Sequence, residues 1–309
     1  MDYFSQVVQV FSMLPHLSSW EHARRIFEDV ASGKPRHWLL PAHACRAVGG
    51  KPEQAVLPIL AAACAHIGIL LIDDMLDNDP RGEYHRVGMA ASADLACAFQ
   101  AASLHAISRS LHDPPSGLAA MMGFNEMFLS TAFGQSLDVR APADESAYWN
   151  VVQTKSSPFF GAALQVGALA GGGTLETAEQ LKQLGCVYGE MIQIQDDMHD
   201  SMETPANPDR VQWRFPLPIL FASLVDHPER GRFVELRRNI ADPVALQEAQ
   251  EILIRCGAIS YCADRLIRKY RSAKRILNRI PLSDPEPVAS LLEEIIAPVH
   301  ELLAAAEDG

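Results

Sequence analysis

Apolar positions along this chain recur at helical rather than strand spacing. Ala23, Ile26, Phe27 and Val30 fall on one face, and Ser18 with Glu21 reads as a capping box opening that helix. Ser32-Gly33-Lys34-Pro35 breaks the pattern, and a second helix is predicted to reach Gly49–Gly50. Further helical stretches are predicted over 52–79, 87–111, 117–139, 145–169 and 175–202, with breaks at Pro80–Gly82 and Gly171–Gly173. Pro205, Asn207, Pro208 and Asp209 make 203–214 a polar loop, and a loop of that length in a compact domain usually carries function. Helical spacing resumes over 216–225, 230–240, 243–255, 260–280 and 287–305. No repeat period and no linker-like shift of composition divides the chain. The pattern therefore predicts one all-α domain, 1–309, of ten or more helices.

One stretch exceeds the amphipathic pattern. From Ala55 to Ile72 the chain carries no formal charge, which approaches membrane-spanning length. It contains Pro58 and His66 and runs straight into Asp73-Asp74, so a helix buried in a bundle is the expected reading. Lys and Arg total 26 against 38 Asp and Glu, a formal charge of −12. That acidity excludes a binder of nucleic-acid backbones, which needs a positive surface. The 6 cysteines are scattered without a C-x-x-C pair, as expected of reduced core thiols. No basic, apolar secretory leader precedes the first helix. A soluble, cytoplasmic protein is expected.

Two segments carry the chemistry. Ile69-Leu70-Leu71-Ile72-Asp73-Asp74-Met75-Leu76-Asp77 and Ile192-Gln193-Ile194-Gln195-Asp196-Asp197-Met198-His199-Asp200 both read D-D-M-x-D after an apolar approach. On a helix, residues four apart share a face, so Asp73 with Asp77, and Asp196 with Asp200, can each offer one cation two carboxylates. Unpaired carboxylates on apolar helices are costly, and a hard divalent cation removes the conflict. Mg²⁺ takes few protein carboxylates and completes its octahedron with water and phosphate oxygens. Two such helices would bind a diphosphate through Mg²⁺ and stabilise charge on departing pyrophosphate, while apolar helices shelter a carbocation from water. A calcium loop over 77–82 is excluded by Arg81 at a ligand position and Gly88 at the closing position. No P-loop or dinucleotide glycine pattern occurs.

Paired D-D-x-x-D motifs in an all-α chain of this length resemble the trans-prenyltransferases, the polyprenyl diphosphate synthases. The likeness runs from about Gly33 to Ile280. Gly134-Gln135-Ser136-Leu137-Asp138 is similar to the family's G-Q-x-x-D. Lys155-Ser156 falls where K-T is usual, and Gln193 precedes the second aspartate motif as in F-Q-x-x-D-D. His66 lies seven residues before Asp73, like the family histidine that binds isopentenyl diphosphate, and Gly33-Lys34 opens a segment resembling G-K-R-x-R-P.

The resemblance implies an isoprenoid-synthase bundle around a deep central cavity. Asp73, Asp74, Asp77, Asp196, Asp197 and Asp200 would hold Mg²⁺ (three ions per site, Mn²⁺ a possible substitute) and the allylic prenyl diphosphate. Lys155 and Arg81 would add positive charge, with Arg214 replacing the lysine that usually follows the second motif. Lys34, Arg36, His37 and His66 would grip isopentenyl diphosphate. Gln135 would belong to the substrate site, and Ser156 and Gln193 would steady the carbocation. Homodimerisation, and release of product beside a membrane, are implied by the family alone.

The departures shape the expectation. The segment Gly33-Lys34-Pro35-Arg36-His37-Trp38 lacks both customary arginines, Pro80-Arg81-Gly82 has one arginine where two are usual, and no arginine ends the chain. Each lost phosphate contact is worth about 1.5–3 kcal/mol. The allylic half is intact and the isopentenyl half depleted. Cys64, Ala65, Gly68 and Ile69, one and two turns before Asp73, are expected to leave a prenyl-chain pocket open and give a product longer than farnesyl, geranylgeranyl or beyond. The leading expectation is Mg²⁺-dependent condensation of an allylic diphosphate with isopentenyl diphosphate. The alternatives are a prenyltransferase to another acceptor, or a terpene cyclase or diphosphate hydrolase on the same fold. A regulatory subunit or a membrane bundle is disfavoured by the intact aspartates and by His66 and Pro58.

Overall fold

The computed structural model describes residues 2–140, 142–206 and 215–307, with side chains as far as 301. Among these residues there is no strand. The chain divides into two compact units that it visits in turn: Met1–Thr131, Pro158–Cys186 and Ile276–Ser290 form the first, and Ala132–Ser157, Val187–Arg275 and Leu291–Gly309 the second. Neither is a contiguous stretch, which is why no linker marks a boundary between them.

In the first unit, α1 (Tyr3–Phe11), α2 (Glu21–Ser32) and α3 (Leu40–Ala47) precede the long α4 (Val56–Asp77). A single turn, α5 (Tyr84–Val87), leads to α6 (Met89–Ser110), and α7 (Pro114–Asp138) follows. The apolar pattern did not reveal α1, which the Asp2 side chain caps by accepting from the Ser5 N–H. The Ser18 capping box is not formed: Ser18 lies in a 3₁₀ turn, Leu17–Ser19, and α2 starts after Trp20 without a side-chain cap. The helix begins at the second half of the motif because that turn uses up the first.

α4 is the central helix of this unit. Ala61, Ala62, Ala63, Cys64 and Ala65 are all fully buried. A helix apolar on every side must be enclosed on every side. Pro52–Asp77 is long and apolar enough to cross a membrane, but 67% of that apolar window is buried inside the protein, as in a core helix. Gly68 brings α4 against α6, since a methyl group there would stand 3.2 Å from the Ala96 carbonyl oxygen. Gly68 therefore seals a helix contact, and Cys64 and Ala65 are fully buried. Phe11 stacks on Phe27 at 3.9 Å between centroids, and Phe27 lies 5.5 Å from Trp38. Truncating such a buried ring costs about 3–5 kcal/mol.

α8 (Glu145–Val151) runs into a π-helical stretch, Val152–Ser156, then α9 (Ser157–Ala170). After the Gly171–Gly173 break comes α10 (Leu175–Met202). The predicted loop begins at Glu203 and is described as far as Ala206. α11 (Leu217–Leu224), α12 (Arg230–Leu236), α13 (Pro243–Arg255), α14 (Ala258–Leu277) and α15 (Glu286–Glu307) complete the chain. In the second unit, Phe233, Leu246, Ile252 and Leu253 form an apolar cluster of their own. All 6 cysteines are free thiols; Cys45, Cys64 and Cys262 are buried and Cys97 is exposed.

Candidate active site

Each unit carries one aspartate motif. In the first, Asp73, Asp74 and Asp77 occupy the last turn of α4. Asn78 ends the helix in the left-handed conformation, φ 52°, its N–H bonding to the Asp74 carbonyl. Asp79 then folds Arg81 back, accepting from the Arg81 N–H at 2.7 Å, from Nε at 3.1 Å and from Nη2 at 2.9 Å. The Arg81 side chain remains 78% exposed at the end of this turn. The Asp74 carboxyl is pushed up to about 6 by burial and by the neighbouring Asp79 and Asp73. A site that crowds carboxylates at a price in their ionisation suits a divalent cation.

The segment expected to grip isopentenyl diphosphate lies in the first unit. Lys34 has φ 49°, and both Lys34 and Arg36 are exposed. His37 and His66 meet edge to face at 4.2 Å, with Phe159 at 5.7 Å and 6.0 Å from them. Trp38 donates its indole N–H to His66 Nδ1 at 3.2 Å, which puts the remaining ring proton on Nε2. Burial pushes His37 down to about 4 and His66 to about 3, so both rings are neutral near pH 7. His37 Nε2 is buried without a hydrogen-bond partner among the described residues. The pair can offer a neutral hydrogen bond.

The second unit is denser. Gly134 lets α7 touch the π-helical stretch backbone to backbone: a Cβ there would lie 2.4 Å from the Lys155 nitrogen and 2.6 Å from its Cα. One turn on, Asp138 accepts from Lys155 Nζ at 2.6 Å. Thus G-Q-x-x-D has a physical reading, in which the glycine admits the lysine's backbone and the aspartate holds its ammonium. Gln135, between them, is buried. The wide π turn is a feature common at functional sites, and it presents Lys155 and Ser156 together.

Ser156 Oγ donates to Gln193 Oε1 at 2.8 Å, and Gln193 Nε2 donates to Asp197 Oδ1 at 2.8 Å. Asp197 Oδ2 accepts from Tyr148 Oη and from the Leu217 N–H, each at 2.7 Å. Asp197 is thus a buried, three-fold hydrogen-bonded carboxylate. It follows Asp196 by one residue, so it faces about 100° away round the helix. Burial raises its pKa to about 7 against the three hydrogen bonds. A cavity of about 100 Å³ is lined by Asp138, Tyr148, Lys155, Ser156, Gln193, Asp197, Asp200 and Phe215. Asp196 lies outside this cavity, with its carboxyl pushed up to about 6 by burial and by Asp200. Arg214 lies outside the described residues.

Asp138 and Tyr148 are the functional residues that pattern reading passed over. Asp138 stood in a recognisable motif without an assigned partner, and Tyr148 pairs across 49 positions, which no local signal carries. Behind the π stretch, buried Glu190 accepts from Gln153 Nε2 at 2.9 Å and from Lys269 Nζ at 2.6 Å, bracing it from below.

No group of three or more His, Cys, Asp or Glu side chains converges on one point among the described residues. That excludes a ready-made all-protein cage there.

An all-α fold with one aspartate motif on a helix of each unit, a lysine held by an aspartate and a Ser–Gln–Asp chain defines an isoprenoid-synthase-type protein. The sequence profile of the polyprenyl synthetase family matches residues 22–243. The chain belongs to the polyprenyl synthetase family and is an enzyme of it, a prenyltransferase. A short chain isoprenyl diphosphate synthase of Methanothermobacter thermautotrophicus is 26% identical, covering 86% of each chain. A geranylfarnesyl diphosphate synthase of Aeropyrum pernix is 28% identical over 83% of this chain and 86% of that one. Among solved structures, geranylgeranyl pyrophosphate synthetase of Pyrococcus horikoshii superposes with a TM-score of 0.82 at 20% identity, covering 94% of this chain and 95% of that one. A polyprenyl synthase of Caulobacter crescentus complexed with calcium and isoprenyl diphosphate has a TM-score of 0.72 at 19% identity, covering 95% and 97%. These structural likenesses are of fold.

Proposed function

We propose that this chain is a Mg²⁺-dependent prenyl diphosphate synthase that joins an allylic prenyl diphosphate to isopentenyl diphosphate. The observation that carries the reading is the cavity of the second unit, where Lys155 held by Asp138, Ser156 bonded to Gln193, and Asp200 line one space. Lys155 offers an ammonium to the leaving diphosphate, fixed by its 2.6 Å contact with Asp138. Ser156 and Gln193 present oxygen dipoles to the allylic cation, already oriented before ionisation. Mg²⁺ held by Asp73 and Asp77, and by Asp196 and Asp200, would supply charge neutralisation of the departing pyrophosphate. Isopentenyl diphosphate then attacks through its double bond, and a proton leaves to the released pyrophosphate.

The curated relatives support elongation beyond farnesyl: besides the geranylfarnesyl synthase, they include a geranylgeranyl synthase of Methanosarcina mazei, 25% identical over 80% of each chain. A homodimer is supported by α7, where Leu118, Met122, Leu129 and Phe133 recur on one helix face and are 53–74% exposed. A cytoplasmic location is part of the same proposal. The test is an incubation with Mg²⁺, farnesyl diphosphate and radiolabelled isopentenyl diphosphate, followed by chromatography of the dephosphorylated products. Chains longer than farnesyl are expected; exclusive formation of farnesyl from shorter allylic partners would contradict the length. An acceptor other than isopentenyl diphosphate is the second reading, favoured by the neutral His37–His66 pair.

A further inference from the structure

Asp197 reads in sequence as one of six metal-binding aspartates, yet both of its oxygens are committed to protein donors. Gln193 Nε2 meets Oδ1, and Tyr148 Oη and the Leu217 N–H meet Oδ2. Three donors and no acceptor meet its two oxygens, so the geometry holds Asp197 as an acceptor in every one of these bonds. The direction of each further bond follows. Were the Gln193 amide reversed, its oxygen would face Asp197 Oδ1 at 2.8 Å, acceptor against acceptor. So the Gln193 NH₂ must face Asp197, its carbonyl must face Ser156, and Ser156 must donate its only hydrogen to that carbonyl. What the Ser156 hydroxyl retains for the cavity it lines is lone pairs alone.

Resting on the function proposed above, we infer that Asp197 is a positioning residue that sets the polarity of the Gln193–Ser156 chain, so that Ser156 presents lone pairs and never its hydrogen to the allylic cation. Tyr148 and the Leu217 N–H anchor the carboxylate. Leu217 is the first residue of α11, so the same group ties the start of that helix to α10 and α8. A hydroxyl free to rotate would turn its hydrogen toward a developing positive charge part of the time and oppose ionisation. One fixed by an acceptor-only neighbour requires no reorientation as the charge forms.

Asp197→Asn is the discriminating variant because it keeps the shape and reverses the polarity. The Leu217 N–H cannot turn, so the Asn oxygen stays on it and the Asn NH₂ faces Gln193. The Gln193 amide flips, its NH₂ meets Ser156, and the Ser156 hydrogen is driven into the cavity. The experiment measures kcat, the allylic KM, Mg²⁺ half-saturation and melting temperature for wild type, Asp197→Asn, Ser156→Ala and the double variant. Asp197→Asn is expected to lower kcat about 100-fold, the scale of one preorganised dipole, with Mg²⁺ half-saturation and allylic KM within about 2-fold of wild type. In the Ser156→Ala background the same change is expected to cost little, since no hydroxyl remains to misdirect. Additive losses, or a raised Mg²⁺ half-saturation, overturn the inference and return Asp197 to the metal ligands. Should Asp197→Asn not fold, Gln193→Met combined with Ser156→Ala asks the same question: non-additive losses support the chain and additive losses overturn it. A wild-type protein that condenses nothing overturns the proposed function together with this inference, whereas active wild type with unimpaired Asp197→Asn overturns this inference alone.

Discussion

Replacing Gly134 by Ala adds one methyl group at the tightest backbone contact around the active cavity. The new Cβ would stand 2.4 Å from the Lys155 nitrogen, 2.6 Å from its Cα and 2.7 Å from the Thr154 carbonyl carbon, where ordinary contact begins at 3.4 Å. All three are backbone atoms, so no side chain can swing aside, and the π-helical stretch must retreat from α7 by about 1 Å. Lys155 sits on that stretch, and its ammonium meets Asp138 at 2.6 Å. A displacement of about 1 Å of a positioned catalytic group can cost about 100-fold in rate. Overpacking of this kind costs about 1–3 kcal/mol of stability, a fall in Tm of about 1.5–5 °C in a chain of this size. The assay is steady-state pyrophosphate release with thermal unfolding followed by circular dichroism. Gly231→Ala is the control, because a methyl group there meets nothing within 4 Å; it is expected to leave both readings at wild type or to raise Tm slightly. Wild-type turnover and Tm in Gly134→Ala would refute the reading of Gly134 and of the π stretch as a positioned platform.

Three further expectations follow from the site. Asp74 and Asp196 titrate near 6 and Asp197 near 7, each raised chiefly by burial, so the folded state holds protons that the unfolded chain has released. With divalent cations chelated, protonation of these carboxyls favours the folded state as pH falls from 8 toward 5.5, while His37 and His66, held neutral, favour the unfolded state over the same interval. The chelated Tm is therefore expected to stay nearly level while activity with Mg²⁺ falls; a steep rise or fall of the chelated Tm would contradict this. Asp73→Ala combined with Asp196→Ala removes a carboxylate from each motif and is expected to lower kcat/KM by more than about 100-fold, the loss of several kcal/mol of charge stabilisation, and unchanged turnover would remove the metal assignment. Leu129→Glu with Phe133→Glu places charge on the exposed α7 stripe and is expected to yield a monomer by light scattering, where wild type gives a dimer; identical masses would place any interface elsewhere.

The long helices were legible because their apolar spacing is set by burial, and the paired aspartate motifs because they break that spacing abruptly. α4 ends at Asp77 and α10 at Met202, close to the expected limits of 79 and 202. Roles that depend on partners far along the chain were not legible. Asp197 looked like Asp196 in sequence, and only Tyr148 and Leu217, 49 and 20 positions away, make it a hydrogen-bonded hub. Gly68 read as space for a prenyl chain because a glycine leaves room, and its contact with Ala96 of α6 has no local signal. His37 and His66 read as phosphate ligands, and the packing of Trp38 and Phe159 around them makes them neutral. The Ser18 capping box failed for a local reason, since the 3₁₀ turn at Leu17–Ser19 competes for the same residues.

The most direct test of the account is pyrophosphate release by the purified protein with Mg²⁺ and an allylic diphosphate, measured with and without isopentenyl diphosphate. Condensation requires both partners, so release is expected only when both are present and is expected to cease when Mg²⁺ is chelated. Equal release with the allylic diphosphate alone would contradict the account and assign the chain to a hydrolase or cyclase on the same fold.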